Sequence, residues 1–132
     1  DALGATAARE AHRHRQAVSP GMSQVLDTEA LDMLVEAVGA DAMRDIIELF
    51  LGECRELTAA IAAPGANCVA IGRAAHSLKS SAGQLGATAL SEAALAVEIA
   101  ASKSAPELPQ LIAALSRHAA ETLKVLSAQV AK

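Results

Sequence analysis

Four successive stretches of this chain place an apolar residue every three or four positions, a spacing that suits an amphipathic helix and little else. From about Asp41 to Ala62 the positions are Met43, Ile47, Phe50, Cys54, Leu57 and Ile61, ended by Pro64-Gly65. From about Asn67 to Gly86 they are Ile71, Ala75, Leu78, Ala82 and Leu85. From about Thr88 to Ser102 they are Leu90, Ala94, Val97 and Ala101. A last stretch, after Ser104 and the Pro106/Pro109 pair, runs to about Val130 through Ile112, Leu115, Ala119, Thr122 or Leu123, and Leu126. A shorter helix is expected before them, from Thr28 to Val38, capped by Asp27 and stopped at Gly39. Alanine makes up a quarter of the chain, which favours helix, and runs rich in Val, Ile or Thr are few. Amphipathic helices joined by short loops bury their stripes most simply as an antiparallel up-down-up-down four-helix bundle. The fold class predicted is all-α, with the short first helix capping one end. Small residues on the third and fourth segments let those two backbones approach closely.

The chain of 132 residues is long enough for one such core. Residues 1–21 differ: Ala-rich sequence runs into His12-Arg13-His14-Arg15 and then Ser19-Pro20-Gly21. They are expected to form a linker or frayed leader, with the bundle occupying 22–132. The chain opens at Asp1 without a Met, which suggests a module of a longer protein. No run of about 18 apolar residues occurs, so no membrane span and no direct membrane contact are expected. A net charge of −4 and a single Phe, with no Trp or Tyr, argue against a nucleic-acid partner. Cys54 and Cys68 have no metal-site spacing, and they fit free thiols in a reducing, cytoplasmic compartment. Taking Pro64-Gly65 as the turn, their offset of about 12 Å along the bundle is beyond disulfide reach.

Bundles of this kind can hold di-metal centres or haem. The residues three before each His are Arg9, Ala11, Arg73 and Leu115, so no Glu-x-x-His motif exists. Neither a Cys-x-x-Cys-His haem motif nor a Gly-rich phosphate loop is present. No metal and no cofactor of its own are expected, nor ATP binding by a P-loop. The chemistry is left to the histidines. His12 and His14 fall in the leader, at a spacing that does not share a helix face. His118, at the edge of the last stripe, reads as a half-buried structural residue.

His76 stands apart. At about 100° per residue it points about 140° away from its helix's apolar stripe, into water. Its same-face neighbours are Gly72, Lys79, Ser80 and Gly83, with Arg73 three residues before it. A glycine inside a helix costs about 1 kcal/mol against alanine. Two of them beside one exposed imidazole suggest clearance for an approaching molecule; the competing reading is tight contact between helices. The third and fourth segments turn near Gly86-Ala87, so residues equidistant from the turn share a level. Position 76 reflected about 87 is Glu98. A carboxylate there would accept the proton of one ring nitrogen and leave the other's lone pair outward. An exposed, oriented imidazole beside cations is a nucleophile suited to a phosphoryl group.

The segment Ala75-His76-Ser77-Leu78-Lys79-Ser80-Ser81-Ala82-Gly83-Gln84-Leu85-Gly86-Ala87 resembles the signature of histidine-containing phosphotransfer (HPt) domains of multistep two-component relays. The resemblance is dense over the third and fourth segments and looser from Leu26 to the C-terminus. Ser80 departs from it, since the family often has Gly there. The resemblance implies that His76 carries the phosphoryl group and Lys79 offsets its charge. Glu98 would orient the imidazole, while Gly72, Ser80 and Gly83 keep the approach open. It implies receiver domains of a hybrid kinase and of a response regulator as partners, with Mg²⁺ supplied by the receiver. The module would be monomeric, the C-terminal part of a hybrid sensor kinase or a free-standing shuttle. Two alternatives are an adaptor bundle that binds partners without phosphotransfer, and a kinase dimerisation domain, which builds its bundle from two chains.

Overall fold

The structure is a computed structural model that describes residues 25–131. Five helices follow one another among the described residues: α1 Thr28–Val38, α2 Ala40–Ala62, α3 Cys68–Gln84, α4 Thr88–Ser102 and α5 Leu108–Ala131. The leader 1–21, with His12 and His14, lies outside the described residues. Helices α2 to α5 pack in a ring, each against its neighbours in sequence and α5 back against α2, which is the up-down-up-down arrangement. No helix among the described residues is long and apolar enough to cross a membrane.

Local chemistry fixes where the helices begin and end. The Asp27 carboxylate accepts from the Ala30 amide at 3.2 Å, and the Asn67 side chain accepts from the Ala70 amide at 2.8 Å. Each satisfies one of the donors orphaned at a helix start. Gly39, at φ 89, both ends α1 and precedes α2, so α2 begins at Ala40, one residue earlier than the sequence suggests. Helix α3 ends at Gln84 instead of Gly86: Leu85 caps it and Gly86 turns the chain at φ 73. Helix α5 begins before Pro109, because a proline in a first turn gives up an amide that had no partner.

The expected stripes are the core. Ile61, Leu78, Leu90, Leu115, Leu126 and Cys54 are fully buried, and Thr122, rather than Leu123, takes the buried position on α5. The Thr122 hydroxyl donates to the His118 carbonyl at 2.7 Å, which lets a polar residue sit inside. His118 itself is half-buried. Helix α1 lies across the end of the bundle where α3 turns into α4. The Asp27 amide donates to the Gly86 carbonyl at 2.6 Å. A Cβ at Gly86 would sit 3.0 Å from the Asp27 carbonyl oxygen and 3.2 Å from the Ala30 Cβ. That position therefore needs glycine for space as well as for its left-handed backbone.

One register differs from the sequence reading. The Ser81 hydroxyl donates to Glu53 at 2.5 Å, so the α2–α3 hairpin is centred near Asn67 and not at Pro64-Gly65. The residues between Ala62 and Cys68 form the turn, and the two strokes of the hairpin are shifted accordingly. Cys54 is buried on α2 and Cys68 is the first residue of α3; both are free thiols.

Candidate functional site

Helix α3 buries Ile71, Ala75, Leu78 and Ala82, which turns His76 outward. Its side chain is 59% exposed. Helix α4 buries Ala94, Val97 and Ala101, and this rotation brings Glu98 to the α3 side. The reflection about residue 87 holds: His76 Nδ1 lies 2.8 Å from Glu98 Oε2. The other carboxylate oxygen, Oε1, accepts from Lys79 Nζ at 3.1 Å. Glu98 thus sits between two donors, a neighbour above it on α3 and one below.

That position sets the charge of the carboxyl. The hydrogen bond from Lys79 holds Glu98 below the usual carboxylate range, helped by the bond from His76 and opposed by partial loss of water. An ionised carboxylate offers only lone pairs. A neutral imidazole bonded to it through Nδ1 therefore carries its proton there and keeps the Nε2 lone pair unused.

A shallow groove of about 610 Å³ opens beside the ring, lined by Val69, Gly72, Arg73, His76, Ser77, Glu98 and Ser102. A Cβ added at Gly72 would lie 3.8 Å from the Ala101 Cβ, and one at Gly83 would lie 3.5 Å from Ser91 Oγ. Both are ordinary contact distances, so close helix packing requires glycine at neither place. Ser80 is exposed on the same side. Among the described residues no group of three His, Cys, Asp or Glu side chains could hold a metal ion.

The sequence reading places the Lys79 charge on an incoming phosphoryl group; the structure places its ammonium on Glu98. Two polar residues of α4 were not singled out in the sequence. Ser91 donates to the Lys79 carbonyl at 3.0 Å and braces α4 against the backbone beside the site. Ser102 lines the groove, its hydroxyl donating to the Ile99 carbonyl at 2.7 Å. The reflection that found Glu98 could have found both, since 91 pairs with 83 and 102 with 72.

On this four-helix bundle an exposed imidazole is thus hydrogen-bonded to a carboxylate of the next helix. The Hpt domain family model matches residues 45–128, and the chain belongs to that family. Its function is histidine phosphotransfer within a two-component phosphorelay, in which the partners are receiver domains. The fold is that of histidine-containing phosphotransfer protein B from Pseudomonas aeruginosa PAO1, with a TM-score of 0.76 at 21% identity over 83% of this chain and 96% of that one. A rice protein assigned as a histidine-containing phosphotransfer protein matches with a TM-score of 0.58 at 17% identity, over the whole of both chains. No curated protein matches the chain.

Proposed function

We propose that His76 is the residue that carries the phosphoryl group and that Nε2 is its attacking atom. The observation that carries this is an imidazole 59% exposed whose Nδ1 is held 2.8 Å from a carboxylate. The Nε2 lone pair attacks phosphorus in the aspartyl phosphate of a receiver. The N–P bond forms as the P–O bond to the aspartate breaks, and the aspartate leaves as carboxylate with the bonding pair. The ring gains positive charge, which the Nδ1–H shares with Glu98. The same step in reverse, onto the aspartate of a second receiver, empties the site. Mg²⁺ belongs to the receiver; this chain supplies the nucleophile, its orientation and the local charge.

Glu98 is the orienting residue and Lys79 acts on it. Gly72, Ser80 and Gly83 leave the ring approachable. The receivers are those of a hybrid kinase and a response regulator, and the module works as a monomer. The free thiols of Cys54 and Cys68 suit the cytoplasm.

Incubation with a phosphorylated receiver tests the assignment. Wild type should acquire an acid-labile label, and His76→Gln should acquire none. Its stability should stay within about 0.5 kcal/mol of wild type, since the side chain faces water. Label on the variant, or its loss on replacing His118, would refute it.

A further inference from the structure

A phosphoryl group on His76 brings roughly two negative charges to a site that already holds one carboxylate. The Lys79 ammonium, 3.1 Å from Glu98 Oε1, balances that carboxylate and leaves the pair neutral. Something else must meet the charge of the phosphoryl group. Arg73 lies three residues before His76, is exposed, and has no ion pair among the described residues.

The open space is on the same side. Helical side chains lean toward the N-terminus and cover the preceding turn, so the His76 ring leans over Gly72 and Arg73 and away from Ser80. The groove beside the ring agrees: its α3 wall is Val69, Gly72, Arg73 and Ser77. Gly72 lines the groove without a side chain. Arg73 offers a planar fork of donors that matches phosphate oxygens, at the end of a side chain long enough to reach across one turn.

We infer that this groove is the phosphoryl-binding subsite and that Arg73 is its anion-binding residue, contacting the phosphoryl oxygens on Nε2, while Lys79 is a positioning residue that works through Glu98. The inference rests on His76 being the phosphoacceptor. It divides the labour between two cations that the sequence alone leaves equivalent: one faces the cargo and the other faces the carboxylate.

Phosphoramidate, a small phosphodonor that needs no docking partner, tests it on the full chain, with rates read by intact mass and by 31P NMR. Arg73→Ala should slow labelling of His76 about tenfold at low ionic strength, the worth of a charged hydrogen bond. Salt near 0.5 M should shrink that gap, because the site is open to solvent. Arg73→Lys keeps the charge but loses the fork, and should recover only part of the wild-type rate. Lys79→Ala should retain its salt response, because Arg73 remains. Wild-type labelling rates in Arg73→Ala at low salt, no recovery in Arg73→Lys, or a salt response lost in Lys79→Ala and kept in Arg73→Ala would each overturn the assignment to Arg73. His76→Gln separates the two claims: label on that variant overturns the phosphoacceptor assignment instead.

Discussion

The two halves of the bundle are built from different material. Along α2 and α5 the interior is filled by Met43, Ile47, Phe50, Ile61, Leu115 and Leu126. The α3–α4 hairpin buries Ile71, Leu78, Leu90 and Val97 as well, but it interleaves them with alanines: Ala75, Ala82, Ala87, Ala94 and Ala101 are all at most 3% exposed. Bulky side chains contribute apolar area, and area is what stabilises. Alanines contribute little area but bring two backbones close. Only a close pair of helices lets a glutamate on one reach an imidazole on the other at 2.8 Å. Both halves add bulk to the core; the alanines of the second also set the spacing on which the chemistry depends.

Substitutions should separate those two functions. The largest change in stability should come from removing bulk. Leu126→Ala, at a fully buried position, should lose about 2–5 kcal/mol in urea denaturation. The fraction that remains folded should still accept phosphate at the wild-type rate. Ala101→Leu should cost less, about 1–3 kcal/mol, by overpacking the seam. It should nevertheless slow labelling, because Ala101 lies against Gly72 and shares a helix with Glu98. Slow labelling in Leu126→Ala and normal labelling in Ala101→Leu would reverse the comparison.

Glu98→Ala should leave the melting temperature nearly unchanged and slow labelling about tenfold, close to the 1.5 kcal/mol of one charged hydrogen bond. Gly83→Leu gains helix propensity of up to about 1 kcal/mol. It should slow transfer from a receiver while leaving labelling by phosphoramidate untouched, a difference that isolates docking from chemistry. The smallest effect concerns pH. Glu98 is depressed below its ordinary value of 4.5, so its hydrogen bonds contribute fully above that value and are lost only as pH falls through the lower, folded pKa. The stability difference between wild type and Glu98→Gln should therefore hold from pH 7 to pH 5 and shrink only in stronger acid.

Much of this was legible in the residues. The stripes gave the helices, because burial repeats with the helical period between breaks that Gly and Pro mostly mark. The turn near residue 87 gave Glu98, because a tight antiparallel hairpin fixes levels on both strokes. The looser turn before Cys68 gave a wrong centre for α2–α3: Pro64-Gly65 marks where α2 has stopped, but Asn67 is where α3 is capped. The pairing of Lys79 was hidden for another reason. Which of two acceptors, a carboxylate or a future phosphate, a flexible ammonium takes depends on the rotation of both helices, and neither helix's pattern alone records it. Arg73 was visible as a neighbour of His76, yet its distinction from Lys79 appears only once Glu98 has claimed one of the two cations.

The double hold on Glu98 has a thermodynamic consequence. A free glutamate samples many rotamers, and fixing one costs up to about 1.5–2 kcal/mol of conformational entropy. Here Lys79 grips Oε1 while Oε2 faces the imidazole, so most of that ordering is complete before a receiver arrives. The acceptor is thus assembled in the resting protein, and a receiver need not spend part of its own binding energy on arranging it.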